Sequence, residues 1–176
     1  NLAATLLPLD PDLYIVCMLR DPRDVVASRH NSAPDRYWTN LRVWRESLAW
    51  IERARAHRRF CVVHYEDLVR TPDDVQRLLA AFMPFLTALK PFSRFHESAT
   101  MSEADARAMG TLRPADPASV GVWRQHLPRL AGQIAIHGPI DRDLAQARYE
   151  TNSDWRRVLD GVTPDLTPSA TPEAIS

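Results

Sequence analysis

The feature that most constrains this chain is a run of seven apolar residues, Leu13 to Leu19 (LYIVCML), that ends on Arg20-Asp21-Pro22-Arg23-Asp24. The run is rich in β-formers, is bounded by Pro11 and by Asp21-Pro22, and reads as a strand buried on both faces. A helix start follows it. Asp21 can cap the helix, Pro22 suits the first helical position because its missing N–H costs nothing there, and Asp24 falls near the positive end. This helix is expected to run to about Asn31.

The segments downstream repeat the alternation. From Asp35 to Arg59, Trp38, Leu41, Trp44, Leu48 and Ile51 recur at helical steps and predict one long amphipathic helix. Phe60 to Tyr65 (FCVVHY) reads as a second buried strand, and Thr71-Pro72-Asp73-Asp74 starts a third helix with Val75, Leu78, Leu79 and Phe82 facing inward. Strand, helix, helix, strand, helix implies a parallel sheet with helical crossovers, hence an α/β layer fold. Ser93 to Ala108 has helical character, Gly110 to Pro117 reads as a surface loop, and Val122 to Ile136 predicts another helix. Residues 1–160 are expected to form one domain and residues 161–176 a disordered Pro/Thr/Ser tail.

Composition narrows the function classes. The 22 Lys+Arg balance 22 Asp+Glu, which argues against a general nucleic-acid coat but leaves room for a local anion site. Lys90 is the only lysine, so the cations are almost all arginines, the side chain that grips phosphate and carboxylate bidentately. They concentrate in the first third, before the acidic end of the chain. Cys17 and Cys61 are too few for a disulfide scaffold, and no apolar stretch approaches the roughly 20 residues needed to cross a bilayer. The opening residues do not resemble a signal peptide and lack an initiator Met, so the expectation is a cytoplasmic protein cut from something longer. No histidine pairs with a cysteine at zinc-ligand spacing, and no metal is expected.

In open α/β sheets, ligands collect beyond the carboxyl ends of strands. Arg20 stands at that lip, and Ser28 lies two turns along the helix, so that an arginine fork and a hydroxyl could hold one phosphate between them. The same spacing also suits an Arg20 paired with Asp24 or Asp21 and a Ser28 on ordinary helix surface.

The run YIVCMLRDPRDVVASRH resembles the 3′-phosphate-binding segment of sulfotransferases that use 3′-phosphoadenylyl sulfate, in which a strand ends in an arginine and a serine follows eight positions later. VVHYEDLVRTPDDVQRLLAAF is similar to a second recurring segment of that family, and SVGVWRQHLP to the loop in which a glycine, a tryptophan and a basic residue close over the nucleotide. The nearest likeness is to the branch of tyrosylprotein sulfotransferases and their bacterial relatives, where an Asn-Leu pair, here Asn1-Leu2, precedes the strand. GPIDRDLAQARYETNSDW resembles the ending of the bacterial members, with Arg148 in place of a glycine. The resemblance implies a P-loop NTPase-like three-layer fold, N-terminally incomplete, with Arg20 and Ser28 on the donor's 3′-phosphate and Tyr65 against the adenosine. An Arg-Lys-Gly triplet common before the loop glycine is replaced by Asp116-Pro117-Ala118, so Arg113 or Arg124 is expected to supply the charge.

The resemblance further implies transfer of a sulfuryl group from 3′-phosphoadenylyl sulfate to a hydroxyl or amine acceptor. The family's Lys-containing phosphate loop and its catalytic base do not occur in this sequence, so this chain alone is expected to be inactive. Two other classes stay open: a nucleotide-binding module without catalysis, and an interaction protein using the arginine-rich stretch from Arg42 to Arg59.

Overall fold

A computed structural model of the chain describes residues 6–30, 33–87, 90–102 and 111–171. Its elements are β1 (Ile15–Leu19), α1 (Pro22–Ala27), β2 (Arg29–His30), β3 (Ala33–Tyr37), α2 (Leu41–Ala54), β4 (Phe60–His64), α3 (Tyr65–Arg70), α4 (Pro72–Phe82), α5 (Leu127–His137) and α6 (Asp141–Gln146). Short 3-10 turns lie at Phe92–Glu97, Pro117–Ser119, Val122–Gln125 and Asp154–Leu159. The chain divides into two compact units, residues 1–19 with 51–118 and residues 20–50 with 119–176.

The first unit is built on the two predicted strands. β1 pairs in parallel with β4, in a register that sets Cys17 opposite Val62 and Leu19 opposite His64. A parallel pair requires a long crossover, and the chain between the strands carries helices, as α/β topology demands. The outcome departs from the sequence reading in one respect. Val16 and Met18 are 40% and 53% exposed, so β1 is not buried on both faces among the described residues. α4 carries Val75 and Leu79 into a small core with Val63, whereas Leu78, expected to face inward, is half exposed. Phe82 meets the Tyr14 ring edge-on at 5.4 Å. Arg59 is buried here and donates to the carbonyls of Leu7, Asp10 and Leu13, which fastens the segment before β1. Asp73 on α4 accepts from the backbone N–H and the hydroxyl of Ser93, both at 2.8 Å, and so pins the Phe92–Glu97 turn. Of the stretch read as helical, Ser93 to Glu97 lie in the 3-10 turn, residues 98–102 are not helical, and residues 103–108 lie outside the described residues.

The second unit holds a core of Val26, Leu41, Trp123, Leu130, Ile140, Leu144 and Trp155. α1 begins as predicted: the Asp21 carboxylate accepts the Arg23 N–H at 2.9 Å, with Pro22 at the first position. It ends at Ala27, four residues early, because Ser28 turns extended and enters the antiparallel β2–β3 ladder, Arg29 opposite Tyr37. That ladder also corrects the start of the long helix. α2 opens at Leu41, where the Asn40 side chain accepts the Val43 N–H at 3.1 Å and the buried Gln133 accepts the Leu41 N–H at 2.9 Å. Leu41, Trp44, Leu48 and Ile51 are buried as their spacing predicts, and Trp38, which precedes the helix, is 56% exposed.

The helix expected over Val122 to Ile136 is instead a 3-10 turn followed by α5, because Pro128 starts a new helix. Residues 161–171 make hydrogen bonds to the second unit's helices and strands. Arg129, 1% exposed, donates to the Thr167 carbonyl and the Ser169 hydroxyl, the Ala170 N–H donates to the Tyr37 carbonyl, and Tyr37 donates its hydroxyl to Asp165. The segment is a strap whose polar groups are satisfied by buried residues, a source of order that composition does not display. No helix among the described residues is long and apolar enough to cross a membrane.

Candidate functional site

Arg20 follows the last residue of β1 and belongs to the second unit. Its Nη2 donates to the Ser119 carbonyl at 2.6 Å, and its own carbonyl accepts the Trp44 indole N–H at 2.9 Å. Backbone and side chain are thereby both anchored. Asp24, 1% exposed, uses both carboxylate oxygens: Oδ2 accepts the Gly121 N–H at 2.7 Å and Oδ1 the Trp123 N–H at 2.9 Å. The segment after the strand thus grips the 119–123 loop, about a hundred positions away in sequence.

Gly121 has φ +78, a left-handed conformation that favours glycine, and a Cβ there would stand 2.8 Å from an Arg124 guanidinium nitrogen. Arg124 therefore folds back over Gly121, with its guanidinium carbon 4.4 Å from the Trp123 ring centre. It is exposed, and it lies on the loop that Arg20 and Asp24 hold.

Arg23 supports this arrangement from below. Its buried guanidinium forms ion pairs with Asp21 and Glu150, both at 2.7 Å, and lies 4.5 Å from the Trp123 ring centre and 5.2 Å from that of Trp155. Burial works against its charge, but the hydrogen bonds and charges of Asp21 and Glu150 outweigh that and raise its pKa. Sequence reading placed Arg23 near the site without a role. The RYE and closing-tryptophan resemblance was the available signal, because Glu150 and Trp155 are Arg23's two other partners.

Arg148, the departure from that ending, keeps the turn a glycine would make. It takes φ +64; its N–H donates to Ala145 and that of Tyr149 to Leu144, which is the Schellman closure of α6. Glu150 reaches Arg23 because this turn is made.

The other predicted residues fall as follows. Ser28 is half-buried at the C-terminal end of α1 and donates its hydroxyl to the Asp24 carbonyl at 3.1 Å, with its backbone carbonyl accepting the Trp38 N–H at 2.9 Å. Arg20 and Ser28 therefore flank α1. Asp21 pairs with Arg23 at 2.7 Å, and Asp24 accepts from the two loop N–H groups. Tyr65 opens α3 and is half-buried, so it starts a helix where the sequence suggested a strand end, and Arg113 is exposed in an irregular segment; both belong to the first unit. Asn1 and Leu2 lie outside the described residues. No group of three or more His, Cys, Asp or Glu stands close enough to hold a metal among the described residues.

Residues 2–84 match the model of the sulfotransferase family, a stretch that contains Arg20, Ser28 and Tyr65 and ends before Gly121. No curated protein and no solved structure matches the chain. The match covers just under half of the sequence and supports a sulfotransferase family.

Proposed function

We propose that the chain is the donor-binding portion of a sulfotransferase of the tyrosylprotein and bacterial branch, with a P-loop-like layered fold, and that it recognises 3′-phosphoadenylyl sulfate through the 3′-phosphate. The observation that carries this reading is the three-point grip of Arg20 and Asp24 on the 119–123 loop. It joins the strand-end arginine, inside the family match, to a loop with an outward-facing arginine beyond it. Phosphate recognition needs cations on a preorganised frame, and here the buried Asp24 carboxylate is taken up by two backbone N–H donors.

Arg20, Ser28 and Arg124 are assigned to the 3′-phosphate. Ser28 turns its hydroxyl from the Asp24 carbonyl to do so. Tyr65 is assigned to the adenosine by resemblance, and Arg113 is the alternative to Arg124 for the charge that the family's triplet supplies. Sulfuryl transfer also needs a cation at the moving group and a base for the acceptor hydroxyl or amine. The sequence contains no glycine-rich lysine loop to supply the first, so these 176 residues bind donor without turning it over. Isothermal titration with adenosine 3′,5′-bisphosphate, paired with a labelled-sulfate transfer assay, tests both halves. Heat of binding without transfer is the expected result, and an intact fold that gives no heat contradicts the assignment.

A further inference from the structure

The grip on the loop has a chemical order. Arg20 takes the Ser119 carbonyl, and Asp24 takes the Gly121 and Trp123 N–H groups, so the contacts fall on alternate loop residues, and the exposed Arg124 follows the last of them. Asp24 is almost completely buried, beneath the loop, and cannot itself contact a ligand without releasing it. The Arg124 guanidinium rests on the Trp123 ring and against Gly121. The backbone N–H groups of both residues are held by the Asp24 carboxylate. Trp123 is further wedged by Trp155, whose ring stands at 90° to it at 6.3 Å, so the ring has little freedom of its own.

We infer that Asp24 is a positioning residue: it holds the Gly121–Trp123 backbone so that Arg124 is presented to the donor phosphate. This rests on the donor-binding reading and adds to it a residue that acts through another. A purely structural Asp24 would lower stability and affect binding equally whether or not Arg124 is present; a positioning Asp24 has nothing left to position once Arg124 is gone.

The experiment is a double-mutant cycle read by titration with adenosine 3′,5′-bisphosphate, with unfolding followed separately. Asp24→Asn replaces one acceptor oxygen by a donor that faces an N–H, and is expected to weaken binding about tenfold, close to the effect of Arg124→Ala. In the Arg124→Ala background the same change is expected to add less than about twofold. Asp24→Ser keeps one acceptor oxygen and should show a smaller loss with the same non-additivity. It serves as the second arm if Asp24→Asn does not fold. Equal losses in both backgrounds, or wild-type affinity in Asp24→Asn, overturn the inference while leaving donor binding in place. A wild-type chain that does not bind the bisphosphate overturns both.

Discussion

At the scale of single residues, several arginines serve as multi-point structural donors. Arg59 and Arg129 are buried and donate to backbone carbonyls, Arg45 donates to Asp143 and to the carbonyls of His137, Gly138 and Pro139 at the end of α5, and Arg23 binds two carboxylates. These are structural donors with five N–H groups each, suited to several acceptors at once. Arg129→Ala strips donors from Val26, Thr39 and Thr167 and is expected to cost about 3 kcal/mol or more, checked by denaturant unfolding. Arg148 predicts the opposite sign. A non-glycine residue at φ +64 carries about 1 kcal/mol of steric cost, so Arg148→Gly should be neutral to slightly stabilising, whereas a β-branched residue there should destabilise. The sequence marked position 148 as a departure from a glycine; that the turn survives the departure follows from the α6 hydrogen bonds, which no local pattern announces.

At the scale of elements, the apolar periodicity of Leu41, Trp44, Leu48 and Ile51 and the capped start of α1 were legible, because each depends on neighbours within a turn or two. Trp38 was misplaced for the same reason: it fits the period, but β3 claims the preceding residues through pairing with β2. The 161–171 strap was invisible because its partners, Tyr37, Arg129 and Gly132, are distant in sequence. Gly132 gives a direct test. A Cβ there would fall 1.9 Å from the Asp165 carbonyl oxygen, so Gly132→Ala is expected to displace the strap, cost about 1–3 kcal/mol and expose residues 161–171 to protease. The strap is also expected to loosen in acid. Thr167, through its hydroxyl and its N–H, and then Tyr37 hold the Asp165 carboxyl below the ordinary aspartate range, against a smaller opposing effect of burial. A carboxylate with a depressed folded-state pKa contributes stability above its unfolded value and loses it as pH falls through the folded value. Protease cleavage within the strap should therefore rise only below the ordinary aspartate range, and Asp165→Asn should flatten that dependence.

For the whole molecule, the α/β reading rests on the parallel β1–β4 pair and its helical connections, and the sulfotransferase reading on the match over residues 2–84 together with the loop clasp. The approach of the 119–124 loop to Arg20 could be anticipated only through resemblance, since nothing in spacing relates residues a hundred positions apart. The account stands on recognition of the 3′-phosphate. The most direct measurement compares the affinity of the unmodified chain for adenosine 3′,5′-bisphosphate with that for adenosine 5′-phosphate, which differs by the one group assigned to Arg20, Ser28 and Arg124. A charge-assisted contact contributes about 1.5 to 3 kcal/mol, so the bisphosphate is predicted to bind at least about tenfold more tightly. Equal affinities for the two nucleotides would contradict the account.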